Sequence, residues 1–428
     1  MGRTSQHKVH IGDSLASYLR ILMRTQDIAP DIAHENGSPG MTIISQQRWS
    51  VDFSVALENR TGKYFLGKDI IDDNQSMIAD VRYWRGAETP KDKIANTILR
   101  YGLKLEKRLY AHSRLLRIPL RRASLSTLYL DPFTVVMSQL TPRDIVLCHD
   151  LGPLTHPELF TDWLRTLYER AYEKIRRVQP RMVFVSLSSQ REFERLVGSD
   201  SPRSVIYPHL RADIDDRVQT PVLGLRPPFF LTVGSLGRRK NQLTAIRAFA
   251  RSGLAAHGAR YVLCGAHEPG WEAVVDAAAA TAGVDLLPYV SDSELSWLYA
   301  QAKGFVLPSR LEGFGMPVAE AIGRGLVPII SRNSVLEEVA GEGASVVDPE
   351  DELAIAQEMI ALWNMSHAEF WARSAALSKG ISRFTREAFS KSWRCELTNE
   401  RQASTQNKGH VFHSNSYSPE LLTATPNI

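Results

Sequence analysis

Between residues 229 and 363, short apolar runs alternate with helix-patterned segments of roughly ten to fifteen residues. That alternation restricts the chain to βαβ units, a parallel sheet and right-handed crossovers. FFLTVG (229–234) is an apolar run ending in Gly, the pattern of a strand buried on both faces. The basic loop SLGRRK (235–240) follows. NQLTAIRAFARSG (241–253) then places apolar residues at helical spacing behind Asn241, a candidate N-cap. YVLCG (261–265), VDLLPYV (284–290), GFVLP (304–308) and VPIIS (327–331) repeat the strand pattern. WEAVVDAAAATAG (271–283), SDSELSWLYAQA (291–302), GMPVAEAIGRG (315–325) and DPEDELAIAQEMIALW (348–363) read as helices. Ser291 and Glu294 have capping-box spacing, and Pro317 suits a first helical turn. Ligands of a parallel sheet bind beyond the carboxyl ends of its strands, so the loops after 229–234, 261–265, 284–287 and 304–308 should line one crevice.

A second α/β unit is readable upstream. DIVLCHD (144–150), RMVFVSLS (181–188) and SVIYP (204–208) read as strands, 161–178 reads as a helix, and Ser188 or Ser189 caps another. PVLGLRPP (221–228) has the Pro and Gly content of a linker. The expected plan is a doubly wound α/β chain with two Rossmann-like sheets. An N-terminal α/β domain covers 76–220, a linker 221–228 and a ligand-binding domain 229–397. Residues 1–75 stay unplaced and 398–428 form a polar tail.

Composition narrows the class. The 428 residues are 43% hydrophobic and 23% charged, which is globular and not disordered. A net charge of +4 is too even for a dedicated nucleic-acid binder. No apolar stretch reaches the ~18 residues of a membrane span, and MGRTSQHKVHIGDS lacks the apolar core of a secretory signal. Gly2 raises myristoylation, which Arg3 and its context disfavour. Cys148, Cys264 and Cys395 are scattered, with no CxxC and no His at ligand spacing, so reduced thiols are expected and not a disulfide framework or a zinc site.

PSRLEGFGMPVAEAIGRG (308–325) carries the most chemistry. Glu312 and Glu320 flank Gly313, Phe314 and Gly315, and the backbone N–H groups of Gly315 and Met316 open a helix, which favours an anion. Carboxylates repel phosphate but accept hydrogen bonds from sugar hydroxyls. A phosphate seat between two hydroxyl readers describes a nucleotide-sugar. The plainer reading is a glycine-containing loop with helix-capping glutamates. Arg238, Arg239 and Lys240 are three cations on the same sheet edge, suited to a pyrophosphate without a metal; a solvated basic loop is the alternative.

TVGSLGRRKN, VDLLPYVSDSELSWLYAQAKGFVLPSRLEGFGMPVAEAIGRGLVPIIS and SVLEEVAGEGASVVDPED resemble the donor domain of family 4 glycosyltransferases, and Glu312-x7-Glu320 matches that family's paired-glutamate motif. IVLCHDLGPLTHPELF and VFVSLSSQREFERLV look like the acceptor-side domain of mannosyltransferase-like members. The resemblance implies the GT-B fold and transfer with retention, without a cofactor. It implies that Glu312 faces the donor sugar and Glu320 the ribose, with Gly234 and Lys240 against the diphosphate. Gly313, Phe314 and Gly315 would offer backbone N–H groups. The backbone near Tyr289 and Val290 would meet the base, and His149 would touch the transferring sugar, unless it is a structural histidine at a strand end. Many members carry Arg directly after the strand Gly. Here that residue is Ser235, so Arg238 or Arg239 must supply the charge.

Asp213-x-Asp215 has the spacing of a metal motif, but no apolar strand leads into it, so a solvated turn is expected and no metal is assigned. In 100–122, Leu99, Leu103, Ile118 and their neighbours lie beside Arg100, Lys104, Lys107 and Arg108, a candidate peripheral membrane contact suited to a lipid-linked acceptor; a basic outer face of a domain helix is the alternative. The expected function is transfer of a mannose-like hexose from a GDP-, UDP- or ADP-sugar to a glycan or lipid-linked acceptor, in the cytoplasm and with no role for nucleic acid. A non-catalytic nucleotide-sugar-binding protein and a nucleotide-sugar epimerase are the alternatives.

Overall fold

The structure is a computed structural model, and it describes residues 48–58, 62–84, 88–90, 92–112, 125–210, 219–288 and 290–398. Two six-stranded sheets are wholly parallel. The N-terminal sheet consists of β1 (Trp49–Asp52), β2 (Ile78–Arg82), β3 (Thr127–Tyr129), β4 (Ile145–Cys148), β5 (Arg181–Phe184) and β6 (Arg203–Val205), in the order β2-β1-β3-β4-β5-β6. The C-terminal sheet consists of β7 (Phe229–Val233), β8 (Arg260–Cys264), β9 (Val284–Leu287), β10 (Ala302–Leu307), β11 (Pro328–Ser331) and β12 (Ser345–Val347), in the order β12-β11-β10-β7-β8-β9. Phe229, Phe230 and Leu231 of β7 are fully buried, as a strand covered on both faces requires.

In each sheet the chain reverses its direction of travel once, between β1 and β3 and between β7 and β10. At such a switch point the loops leaving adjacent strands diverge to opposite faces and open a crevice. The loops after β7 and β10 carry the basic run and Glu312, so sheet topology alone brings these two motifs together.

The N-terminal sheet begins earlier than residue 76. Residues 48–75 furnish β1 and helix α1 (Gly62–Asp73), and Trp49 and Val51 are fully buried. Four strand residues, WSVD, are too few to show a period, which hid β1 in the sequence. Residues 1–47 lie outside the described residues. The far boundary also shifts. Helix α13 (Arg386–Thr398) follows the C-terminal unit in sequence but packs on the N-terminal one. The Trp49 indole donates to the Leu397 carbonyl at 3.1 Å, Ser204 donates to Glu396 at 2.9 Å, and Arg386 pairs with Asp73 at 2.7 Å.

Helix α2 (Lys93–His112) corrects the proposed stripe in 100–122. Leu103 is buried, Leu99 packs against the core, and Lys107 is buried in an ion pair with Glu58 and over the Phe133 ring. Ile118 is outside the described residues. Helix α3 (Gly152–Thr155) and helix α4 (Asp162–Val178) follow β4. The next helix, α5 (Leu187–Leu196), is capped by Ser186, not by Ser188 or Ser189: Ser186 Oγ accepts from the Ser189 N–H at 3.1 Å. Asn241 precedes helix α6 (Gln242–Ser252) at φ 57° but does not cap its backbone: its side-chain oxygen accepts from the Thr244 hydroxyl at 2.8 Å, while its amide donates to the Pro349 carbonyl at 2.6 Å. Beyond helix α7 (Trp271–Ala280), Ser291 and Glu294 form the expected capping box on helix α8 (Asp292–Gln301). Helix α9 (Met316–Gly323) and helix α10 (Val335–Ala340) complete the elements that shape the site, and helix α11 (Glu352–Asn364) and helix α12 (His367–Ile381) lead on to α13.

Candidate active site

Glu312 is the centre of the C-terminal half-site. Its side chain is 7% exposed, and one carboxylate oxygen accepts from Lys240 Nζ at 2.5 Å and from Ser309 at 2.7 Å. The other oxygen faces Arg239 at 3.3 Å, and Arg239 is held from behind by Glu268 at 3.0 Å. Burial alone would raise the Glu312 carboxyl; Lys240 and Arg239 outweigh it and hold the group below the ordinary carboxylate range. Burial pushes Lys240 below its ordinary range, against the pull of Glu312. This settles which arginine faces the crevice. Arg239 does, while the Arg238 stem lies against Gly270, where an added Cβ would stand 2.6 Å from Arg238 Cγ.

The glycines here serve close approach. Gly234 has φ 146°, and the Lys240 stem lies 3.4 Å from where its Cβ would be. Gly315 has φ 97°, and a Cβ there would meet Leu336 at 2.3 Å. It sits directly before α9, so the positive end of that helix opens onto the loop, with Met316 as the first helical residue. The Phe314 ring is buried against Tyr207 and Phe384, so only its backbone can serve a ligand. The Ser235 carbonyl accepts from Gln242, whose amide oxygen accepts from Gly237 N–H; Gln242 shapes the basic loop and went unnoticed in the sequence. Glu320, on α9, accepts from the buried Tyr299 hydroxyl at 3.1 Å. Val290 is half-buried against the core, and Tyr289 lies outside the described residues.

His149 leaves β4 on the N-terminal half and meets this loop. Its carbonyl oxygen stands 2.5 Å from where a Gly313 Cβ would be, so only glycine fits. The ring is buried, and its Nε2 lies 3.0 Å from the Leu130 carbonyl. A carbonyl only accepts, so Nε2 carries the proton and Nδ1 the lone pair. Burial, then the nearby Lys63 charge, lowers the His149 pKa to about 4. The imidazole is therefore a neutral acceptor, suited to a hydroxyl. Around it lies a cluster the sequence reading missed. Lys63 pairs with Asp131 at 2.7 Å, and the Tyr168 hydroxyl donates to Asp131 at 2.7 Å. Burial would raise the Asp131 carboxyl, but the Lys63 charge, helped by the Tyr168 hydroxyl, holds it below its ordinary range. Asp131 follows the strand-like run STLYL, so the rule that ligands gather at strand ends was a usable signal.

Among the described residues no group of three or more His, Cys, Asp or Glu side chains is placed to hold a metal ion, and no helix is long and apolar enough to cross a membrane. Asp213 and Asp215 lie outside the described residues. Cys148 and Cys264 are buried free thiols.

The two-sheet arrangement is the GT-B fold. It matches sucrose-phosphate synthase from Thermosynechococcus elongatus with a TM-score of 0.60 at 16% identity, covering 84% of this chain and 100% of that one. It matches a UDP-forming trehalose-phosphate synthase from Burkholderia xenovorans with a TM-score of 0.58 at 16% identity, covering 82% and 99%. Residues 214–376 match the family described as glycosyl transferases group 1, so the chain carries a domain of that family containing Glu312, Lys240 and Arg239. In sequence the chain is similar to O-antigen chain mannosyltransferase B of Escherichia coli, with 28% identity over 233 residues, 51% of this chain and 60% of that protein. It is also similar to O-antigen chain mannosyltransferase RfbU of Salmonella typhimurium, with 28% identity over 221 residues, 50% and 59%. A shorter match, 35% over 96 residues and 22% and 25% of the two chains, is to GDP-mannose:cellobiosyl-diphosphopolyprenol alpha-mannosyltransferase of Xanthomonas campestris. The chain thus aligns with about three fifths, or less, of each of these relatives.

Proposed function

We propose that the chain is a retaining glycosyltransferase that moves a mannose-like hexose from a nucleotide-sugar to a glycan or lipid-linked acceptor in bacterial surface polysaccharide synthesis, on the cytoplasmic side of the membrane. The observation that carries this is Glu312 clasped by Lys240 and Arg239 at a sheet switch point, opposite a neutral His149. A donor diphosphate entering the loop competes with Glu312 for the two cations. The carboxylate is then released toward the sugar hydroxyls, and the cations and the α9 N-terminus stabilise the leaving diphosphate without a metal. Glu320 takes the ribose hydroxyls. Glu312 binds and does not attack, so retention follows from a front-face path in which the leaving phosphate accepts the acceptor's proton. The mannosyltransferase relatives, one of them named for GDP-mannose, favour GDP-mannose as donor.

The test is product formation from GDP-mannose in excess chelator, with a polyprenyl-diphosphate-linked oligosaccharide as acceptor. A mannosylated product with retained configuration is expected. Tight donor binding with neither transfer nor hydrolysis would favour a binding protein. An isomerised nucleotide-sugar formed without acceptor would favour an epimerase. Activity abolished by chelator and restored by Mg²⁺ or Mn²⁺ would overturn the charge assignment.

A membrane-linked acceptor fits the outer face of α2. Ile94 (73% exposed), Ile98, Tyr101, Leu105 and Leu109 form one solvent-facing stripe. Lys93, Arg100, Lys104 and Arg108 run along its side, and the helix's one acidic residue, Glu106, is buried and bonded to Trp84. An apolar stripe beside a purely basic one suits an anionic bilayer, at about 1 kcal/mol per cation near the surface. We expect co-sedimentation with phosphatidylglycerol vesicles but not with neutral phosphatidylcholine vesicles, and loss of that binding in Ile98→Glu/Leu105→Glu. Unchanged vesicle binding in the double variant would reject this face. Self-association that the same variant abolishes, without vesicle binding, would make the face a dimer surface.

A further inference from the structure

Helix α5 belongs to the N-terminal half, yet its first turn is completed by a residue of the other half. Glu338, on α10, accepts from the Leu187 N–H at 2.7 Å with one oxygen and from the Ser188 N–H at 2.8 Å with the other. The Tyr207 hydroxyl donates to the first of those oxygens at 2.9 Å. These N–H groups have no partner inside α5, because a helix's first turn never does. A carboxylate is the group such a terminus favours most. A second tie runs beside it. Ser186 Oγ donates to the Gly313 carbonyl at 2.9 Å, and Ser189 Oγ donates to the His149 carbonyl at 2.9 Å. One helix turn thus grips the backbone of His149, the backbone of Gly313 next to Glu312, and the Glu338 carboxylate.

We infer that Glu338, acting with Ser186, is a positioning residue that fixes the register of the two halves and so sets His149 against the Glu312–Gly313 loop. This rests on the reading that transfer occurs in the crevice between the halves. Glu338 touches neither Lys240 nor Arg239, so its effect should fall on bringing the halves together and not on holding nucleotide. Closure of this kind excludes water and completes the reacting constellation.

The experiment compares Glu338→Ala, the near-isosteric Glu338→Gln and Ser186→Ala in the full chain. Two readouts are used: amide hydrogen exchange at residues 187–189, and turnover with GDP-mannose. In Glu338→Ala, exchange at Leu187 and Ser188 should speed up by about tenfold or more, the equivalent of one lost hydrogen bond. Affinity for free GDP should stay within about twofold. The turnover number should fall about tenfold, and hydrolysis should rise relative to transfer, since an ill-closed crevice admits water. Glu338→Gln keeps one acceptor oxygen and should rescue part of both effects. Unchanged exchange at 187–189 overturns the inference whether or not the protein transfers mannose. A fall in GDP affinity equal to the fall in turnover also overturns it, by making Glu338 part of the donor pocket. If the parent chain proves inactive while exchange behaves as described, the clasp stands and the transferase reading falls.

Discussion

Glu312→Ala is expected to unfold at markedly lower urea than the parent, with a loss of about 3 kcal/mol or more, the scale for removing one partner of a buried pair. The variant leaves Lys240, 5% exposed, and Arg239 facing each other without the carboxylate between them. The same substitution should cut transfer by about a hundredfold or more, because the group that orients the sugar is gone. Affinity for free nucleoside diphosphate should rise, since a competitor for the two cations has been removed. Added GDP should therefore stabilise Glu312→Ala more than it stabilises the parent, the diphosphate standing in for the missing carboxylate. Equal stabilisation of the two proteins in parallel urea titrations would sink the partner-exchange account. Glu320→Ala offers the contrast: Glu320 is tied to Tyr299 and not to the cations, so its loss should weaken donor and free GDP alike.

The stability of the parent should fall by up to about 3 kcal/mol through His149 alone as the pH is lowered from about 6.5 to 4. The folded imidazole stays neutral down to about pH 4, while the unfolded one takes a proton near its ordinary value of 6.5. Across that window the unfolded chain binds the extra proton, so stability rises with pH there and is fully present above it. His149→Ala should flatten this part of the pH–stability curve. It should also depress transfer by about a hundredfold, from loss of a hydroxyl acceptor at Nδ1, and leave GDP affinity unchanged. If the slope between pH 4 and 6.5 is the same in both proteins, His149 is not the group held neutral by its surroundings. If transfer is untouched, it is a strand-end histidine with no part in the reaction.

The C-terminal half was legible because its signals are local. A run such as FFLTV carries its burial in its own composition, Ser291 and Glu294 close a capping box within one turn, and the alternation of such segments leaves a parallel sheet as the arrangement that buries them. Strand ends then placed Lys240 and Glu312 on one edge before any contact was known. What the sequence could not decide was set by residues far apart in the chain. Whether Arg238 or Arg239 turns inward depends on Gly270 and Glu268 in the neighbouring loop after β8. Which face of α2 is apolar to the core and which to solvent depends on what packs against it: helical spacing permits both stripes, and it is the one through Leu103, Lys107 and Ala111 that is covered. β1 was too short to announce itself, and α13 was assigned to the half that precedes it because order in sequence says nothing about a helix that crosses back. Periodicity and capping act over a few residues and are written in the chain. Charge pairing, tautomer choice at His149 and the Glu338 clasp require surfaces from two sheets to meet, and only the folded molecule brings them within hydrogen-bonding reach.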